Sequence, residues 1–160
     1  MADANVFEPD FDESGERPAP FQARWAPVGR QAGARELGVS LYELRPGQAT
    51  FPLHLHHGNE ELIVVLAGRP TLRTLDDERQ LTPGEVVACP RGRAGAHRLD
   101  NRADEPARVL IFSTMNSPEV VEYPDSGKVG VRTTRSPDDP DFVRKLFRAD
   151  AEVGYFDGEA

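Results

Sequence analysis

The sequence predicts an all-β protein. Short apolar segments rich in β-branched residues recur along the middle of the chain, and turn-forming residues separate them. The ends of these segments carry Pro46, Pro83, Pro90 and Pro106, at positions where a strand ladder tolerates proline. Many short strands at this spacing are typical of an antiparallel β-sandwich or β-barrel.

The individual strands follow one another from residue 36 onward. The first predicted strand, 36–44, ends at an Arg-Pro-Gly turn, and the next ones cover 49–55, 61–68, 70–75, 85–89, 96–101 and 107–114. Polar and glycine-containing turns connect them. We therefore place the β core between residues 36 and 115.

The two ends of the chain differ from this core. Residues 1–35 are rich in proline, glycine and alanine without a clean period, which predicts an N-terminal arm. Residues 116–160 form a predicted C-terminal extension. Within it, residues 139–150 have helical spacing, with Phe142 and Leu146 on one side. We expect this short helix to pack on the β core.

Length and charge restrict the possible functions. A chain of 160 residues suits one domain. The net charge of −8 comes from the ends, with six acidic residues in 1–20 and seven in 136–160, so the clustered basic face of a nucleic-acid-binding protein is missing. No apolar run approaches the ~20 residues that cross a bilayer. The acidic N-terminus is unlike a secretion signal, and Cys89 as the single cysteine suits a reducing compartment. We expect a cytoplasmic protein without nucleic-acid or membrane partners.

The stretch HLHHGNEE, residues 54–61, concentrates titratable side chains. Alternate residues of a strand share a face, so His54 and His56 lie together and His57 points away. Glu61 opens the next apolar run and reaches the same point if the two strands pair. His97 begins a later strand and can add a third imidazole.

Three imidazoles and one carboxylate are a donor set for a single divalent metal ion. Iron, manganese, zinc, nickel and copper all accept such ligands, so the set does not choose among them. The binding forms are neutral imidazole and ionised carboxylate. Occupancy is therefore expected to fall as the pH drops through the ordinary histidine pKa of ~6.5.

Two segments carry a resemblance to a known family. The segment 47–68 resembles the first cupin motif, H-x-H, four residues, Glu, six residues, Gly; its matching residues are His54, His56, Glu61 and Gly68. The count to Gly68 selects Glu61 over Glu60. The segment 84–101 resembles the second cupin motif, and its matching residues are Gly84, Pro90, Gly92, His97 and Asn101. The gap from Gly92 to His97 is about two residues longer than usual.

The resemblance implies a fold and a metal site. Cupins are small jelly-roll antiparallel β-barrels, and the residues matched here by His54, His56, Glu61 and His97 are the metal ligands of the family. The resemblance also implies open metal positions for water or substrate. The later segments are similar to a group of single-domain bacterial cupins, some of which carry a sugar-phosphate isomerase label.

These features favour a metal-dependent enzyme that acts on a small polar metabolite, with a sugar-phosphate isomerase or epimerase as one case. The alternatives are a metal-dependent dioxygenase, in which iron activates oxygen, and a non-catalytic cupin that binds a small molecule. The fold does not decide among them. No catalytic acid or base follows from the sequence.

Further residues complete the expectations. Arg73 and Arg98 lie near the motifs and are predicted to bind an anionic substrate. Cys89 is predicted to be a small buried side chain, and His57 a solvated one. The resemblance to cupins, together with the aromatic residues of the terminal tails, predicts a homodimer.

Overall fold

A computed structural model describes residues 3–159, except residues 14 and 16. Parts of the predicted arm (residues 1, 2, 14 and 16) and of the predicted extension (residue 160) thus lie outside the described residues. The described chain has twelve strands: β1 (Arg24–Ala26), β2 (Gly38–Leu44), β3 (Leu55–His56), β4 (Glu61–Ala67), β5 (Thr71–Arg73), β6 (Glu78–Gln80), β7 (Val86–Cys89), β8 (Arg98–Asp100), β9 (Ala107–Ser113), β10 (Glu119–Tyr123), β11 (Lys128–Arg132) and β12 (Arg144–Arg148).

The helices of the described chain are short. One α-helical turn, α1, covers Val28–Gln31, and 3₁₀ turns cover Arg93–Gly95 and Pro124–Ser126. The chain is therefore all-β, as its sequence predicts.

The strands form three antiparallel sheets. The largest has the order β1-β2-β9-β4-β7, the second β12-β11-β10-β3 and the third β6-β5-β8. The long strands β4 and β9 lie at the centre of the first sheet, where both edges of each are paired. The β3 strand is only two residues long, and it joins the second sheet by pairing with β10.

Alternation along the central strands fills the core. The inward-facing residues are Tyr42 and Leu44 in β2, Ile63 and Val65 in β4, and Val109 and Ile111 in β9. They pack against Leu72, Leu81 and Leu99, which come from the third sheet and its flanking loop. Glu61 has the same parity in β4 as Ile63 and Val65, so its carboxylate also points into the interior.

The predicted arm contributes to the largest sheet. Its residues Arg24–Ala26 form β1 and pair with Leu41–Glu43 of β2. Ala26 and Val28 then pack with Leu41 in a second apolar cluster. The division into arm, core and extension stays a prediction, but these contacts tie the arm to the core.

The helix predicted over residues 139–150 is wrong. Residues 144–148 form the strand β12, which pairs with the edge of β11, and a turn precedes it. Phe142 and Leu146 are four apart, a spacing that also places two residues on the same face of a strand. The open edge of β11 offers five backbone pairings, and this tertiary contact outweighs the helical spacing.

Candidate metal centre

Two strands and an isolated β-bridge bring the candidate ligands together. His56 ends β3, and Glu61 begins β4. His54 and His97 face each other in an antiparallel bridge, in which the His54 N–H donates to the His97 carbonyl (3.2 Å) and the His97 N–H to the His54 carbonyl (2.9 Å). Backbone pairing, rather than side-chain contact alone, therefore fixes the two histidines side by side.

The loop before His97 contains the two additional residues of the second motif. They are accommodated by the 3₁₀ turn Arg93–Gly95. A Cβ on Gly95 would lie 1.7 Å from the Pro90 carbonyl oxygen, so only glycine permits this close approach. The extra length of the loop thus leaves His97 at the bridge with His54.

The turn between His56 and Glu61 is held by a buried amide. Asn59 is 2% exposed, and its Oδ1 accepts hydrogen bonds from the Thr114 hydroxyl (3.1 Å) and from the backbone N–H of Asn116. The Asn59 amide N–H donates to the Asn116 carbonyl (3.3 Å). This network ties the turn between β3 and β4 to the segment that follows β9.

The ligand atoms converge in the interior. One ligand atom each of His54, His56 and Glu61 lies within 4.8 Å of the others. Glu61 Oε2 is 3.7 Å from His56 Nε2 and 3.2 Å from His97 Nε2. The rings of His54 and His97 have centroids 4.6 Å apart. Three of the four predicted residues, His54, His56 and Glu61, thus surround one point, while His97 lies outside that group but contacts Glu61 and adjoins the His54 ring.

Hydrogen bonds set the tautomers of two of these histidines. His54 Nδ1 lies 2.9 Å from the Pro52 carbonyl oxygen, and His97 Nδ1 lies 2.9 Å from that of Gly95. A carbonyl only accepts, so each Nδ1 carries the hydrogen and each Nε2 is left for a cation. Metal-binding histidines are commonly oriented in this way.

Glu119 is a further site residue, and the sequence reasoning missed it. Its side chain is 3% exposed, its Oε1 accepts from the Gly58 N–H (2.9 Å), and its Oε2 lies 3.4 Å from His56 Nδ1. Among the described residues, neither this oxygen nor His56 Nδ1 has a hydrogen-bond partner of good geometry. A carboxylate behind a metal-binding imidazole orients the ring and raises its basicity. Only the pairing of β10 with β3 reveals this contact, so no local signal could have found it.

The pKa values of two histidines in the cluster shift in opposite directions. Burial, reinforced by His97 and His56, lowers the pKa of His54 to about 3, so its imidazole is neutral. Burial also acts to lower the pKa of His97, but its contacts with Cys89 and Glu61 prevail and raise it to about 10. Burial acts to raise the pKa of Glu61, yet the hydrogen bond with His97 holds it below the ordinary value. Without a cation, a proton on His97 therefore balances the buried carboxylate.

These residues fit a divalent ion. Nitrogen and oxygen ligands lie about 2.0–2.2 Å from such an ion, so two of them are separated by no more than about 4.4 Å. The separations of up to 4.8 Å within the group of His54, His56 and Glu61 need only small side-chain adjustments. The carbonyl-bonded Nδ1 atoms of His54 and His97, the ionised Glu61 and a carboxylate near His56 Nδ1 are features that such a site requires.

The cluster opens onto a cavity of about 300 Å³. Phe51 and Tyr42 line one part of it, and Tyr123 stacks near His54 with ring centroids 6.2 Å apart. Burial raises the pKa of Tyr42 to about 12 and also raises that of Tyr123, so both hydroxyls stay protonated. Arg132 and Arg144 complete the wall, and a second cavity of about 280 Å³ adjoins there and also contains His56.

The two arginines predicted for substrate binding lie elsewhere. Arg73 forms two hydrogen bonds with Asp125 (2.6 and 2.8 Å), and Arg98 Nε donates to Asp100 (3.0 Å). Neither guanidinium belongs to the described lining of the cavity at the cluster. Substrate binding by Arg73 and Arg98 stays a prediction, which these ion pairs do not favour.

Two other residues occupy the positions that the sequence predicts. His57 is directed outward and contacts Glu122 (2.6 Å) at the surface. Cys89 is buried, at 5% exposure, opposite Glu61 in the β4–β7 ladder.

Comparison with known families identifies the domain. Residues 40–113 match the family described as "Cupin domain". The chain contains a cupin domain over these residues. This cupin carries His54, His56, Glu61 and His97 within the matched segment, whereas Glu119, Arg132 and Arg144 lie beyond it.

Solved structures agree with this fold. A protein of Acidithiobacillus ferrooxidans, provisionally named a sugar phosphate isomerase, is 27% identical, with 84% of this cupin and 81% of that chain covered and a TM-score of 0.75. A cupin-superfamily sugar phosphate isomerase of Silicibacter pomeroyi is 23% identical, with 96% and 97% covered and a TM-score of 0.78. The polyketide cyclase RemF of Streptomyces resistomycificus is 22% identical, with 88% and 89% covered and a TM-score of 0.61. These likenesses establish a jelly-roll barrel.

The comparison with curated proteins gave no match, and the described helices include no candidate membrane span. Among curated proteins, none shows significant sequence similarity to this cupin. Within the described residues, no helix combines the length and the apolar character needed to traverse a bilayer.

Proposed function

We propose that this cupin is a metal-dependent enzyme that acts on a small polar metabolite, with the chemistry of a sugar-phosphate isomerase or epimerase. His54, His56, Glu61 and His97 hold one divalent ion. The observation that carries the proposal is the convergence of these side chains, with the Nδ1 atoms of His54 and His97 already bonded to carbonyls, at the inner end of a cavity of about 300 Å³.

The protein groups around the ion have separate roles. A bound divalent ion would supply a Lewis acid for a carbonyl or hydroxyl oxygen. Tyr42 and Tyr123 present protonated hydroxyls that donate hydrogen bonds to a polar ligand. Phe51 and Ile111 provide apolar walls that exclude water from the same space.

The relatives support the reaction class. The Acidithiobacillus ferrooxidans protein that is provisionally named a sugar phosphate isomerase is 27% identical in sequence to this cupin. The structural match covers 84% of this cupin. The cavity volume of about 300 Å³ also suits a small metabolite, since small-molecule sites begin at about this volume.

Metal analysis and turnover test the proposal. We expect about one metal ion per chain in the purified protein, and its loss in the double variant H54A/H56A. H57A is the matched control, because His57 is adjacent in sequence but lies at the surface with Glu122. The identified metal is then used in a panel of sugar phosphates and hydroxy acids, with and without oxygen. Isomerised products without oxygen consumption support the proposal, and oxygen-dependent turnover would assign the alternative dioxygenase instead.

We also propose that two copies of this cupin form a dimer through the C-terminal strand and tail. Several large apolar side chains there are exposed: Leu146 (50%), Phe147 (52%), Val153 (72%), Tyr155 (90%) and Phe156 (79%). The outer edge of β12 is open among the described residues and offers backbone groups to a second copy. Light scattering at micromolar concentration should give twice the chain mass, and F147D/Y155D should give the monomer mass. A monomeric wild type contradicts this proposal.

We propose a cytoplasmic location. It is supported by the single cysteine, Cys89, which is buried and free. Fractionation of the source cells should recover the protein with soluble cytoplasmic markers.

A further inference from the structure

Two arginines face each other on the wall of the candidate site. Arg132 of β11 and Arg144 of β12 are direct partners in the antiparallel ladder, so their side chains leave the same face of the sheet. Both line the cavity that contains His54, His56, Glu61 and His97. Both also line the adjoining cavity of about 280 Å³.

This pair lacks the acidic partners that seven other arginines have among the described residues. Arg102 pairs with Glu78 and Arg108 with Glu43, and even Arg135, on the wall of the adjoining cavity, pairs with Glu36. In the described part of the chain, neither Arg132 nor Arg144 forms an ion pair within 4.0 Å. Like charges directly opposite each other destabilise a strand pair.

A buried polar atom points to a missing ligand. Arg132 Nε is shielded from solvent and, among the described residues, has no hydrogen-bond acceptor. A buried donor without an acceptor is costly and is rare in native structures. Glu119, the direct partner of Arg132 in the β10–β11 ladder, also lines the adjoining cavity, but its Oε2 is turned toward His56 Nδ1 (3.4 Å) and it forms no ion pair within 4.0 Å with either guanidinium.

We propose that Arg132 and Arg144 form a subsite for a phosphate-class oxyanion carried by the substrate. Two guanidiniums match the charge of a dianion, and their planar N–H groups match the geometry of its oxygens. This subsite rests on the proposed function, because it holds one part of the molecule whose reacting part lies at the cluster. It deepens that function by assigning the anionic end of the substrate to β11 and β12.

Tyr123 lines both cavities. The Tyr123 ring stacks near the His54 ring, with centroids 6.2 Å apart. The charge of Arg144 also acts on the Tyr123 hydroxyl. The substrate therefore spans from the imidazoles and Glu61, past Tyr123, to the guanidiniums. A small phosphorylated metabolite is the ligand class that this arrangement accommodates.

Calorimetry with inorganic phosphate tests the subsite. Wild-type protein, metal-free and metal-loaded, is titrated with phosphate at constant ionic strength. R132Q and R144Q are each expected to weaken binding by at least about tenfold, the loss of one charge-assisted contact. The matched control is K128Q/R148Q: Lys128 and Arg148 are also opposed on β11 and β12, but they lie outside both cavity linings. The control should bind within about twofold of wild type.

Acetate and sulfate titrations distinguish the source of the oxyanion. Sulfate should compete with phosphate and acetate should bind much more weakly; tighter binding of acetate would overturn the phosphate class in favour of a carboxylate. Folding is monitored by thermal denaturation. At the same concentration, phosphate should raise the Tm of the wild type more than that of R132Q.

Three results would overturn the subsite: no saturable binding, equal losses in the K128Q/R148Q control, or binding only to metal-loaded protein. Metal content measured on the same samples separates this proposal from the proposed function. Full metal content without phosphate binding rejects the subsite alone, whereas phosphate binding in a protein that takes up no metal rejects the metal-dependent function alone.

Discussion

Removal of metal should leave this cupin with a stability maximum near pH 6.5. The pKa of His54 falls to about 3 in the folded protein and that of His97 rises to about 10, from an ordinary value of 6.5 for both. Stability follows the difference in bound protons between the unfolded and folded states. The two histidines therefore oppose each other on the two sides of pH 6.5.

The sign differs for each residue. Below pH 6.5 the unfolded chain binds a proton at His54, whereas His54 of the folded protein stays unprotonated because its pKa is about 3. Stability therefore falls as the pH falls. Above pH 6.5 the folded protein keeps a proton on His97 that the unfolded chain releases, so stability falls as the pH rises toward 10. One proton corresponds to about 1.4 kcal/mol per pH unit. Because the two opposing slopes cancel at pH 6.5 and separate only gradually, the free energy of unfolding should thus be lower by about 1 kcal/mol at both pH 5 and pH 8.

Urea denaturation in the presence of a chelator measures this profile. H54Q should lose the acid-side decrease and H97Q the alkaline-side decrease, which makes each variant the control for the other. Added metal ion should reverse the alkaline trend, because binding requires the unprotonated His97 imidazole. A metal-free protein equally stable at pH 6.5 and pH 8, or an H97Q variant with the wild-type alkaline decrease, would refute the reasoning.

Two substitutions test how the ligands are positioned. E119Q removes the charge behind His56 and should weaken metal binding by about 10- to 100-fold; E122Q, on the same strand but paired with His57 at the surface, should leave it unchanged in metal titrations. G95A places a Cβ 1.7 Å from the Pro90 carbonyl oxygen. It should lower the free energy of unfolding by about 1–3 kcal/mol and weaken metal binding, since the loop before His97 must shift. G154A, where a Cβ meets nothing closer than 4.0 Å, is its control, and equal effects in both would contradict the account.

Local rules located His54, His56 and Glu61 because the geometry that joins them is local, whereas the pairing of His97 with His54 is long-range. Alternation along a strand placed His54 and His56 on one face, and the structure directs His57 outward to Glu122. Parity within β4 turns Glu61 inward with Ile63 and Val65. Each of these relations spans only a few residues, so the sequence pattern contains it.

Relations between distant strands escaped the same reasoning. Glu119 reaches His56 only because β10 pairs with β3, and Arg132 meets Arg144 only because β11 pairs with β12. The sequence suggested Arg73 and Arg98 for anion binding because they lie near the motifs in the chain. The structure pairs both with aspartates, Asp125 and Asp100. Proximity along the chain is a weak guide where long-range pairing decides the neighbours.

The helix predicted over 139–150 failed for the same reason. A spacing of four residues fits one face of a helix and one face of a strand equally well, and only the free edge of β11 decides between them. That decision matters for the site, because a helix would not have placed Arg144 opposite Arg132. The wall of the cavity depends on the strand.

The candidate metal ligands and the second wall of the cavity come from different segments of the chain. The cupin match ends at residue 113, and it includes all four candidate ligands. The second wall of the cavity comes from 119–144, which the match does not cover. Relatives that share the first segment can therefore share the candidate metal ligands and still differ in the strands that form the second wall of the cavity. We infer that the identity of the substrate is determined in β10–β12, so exchange of that sheet between relatives should transfer ligand preference while metal binding is retained.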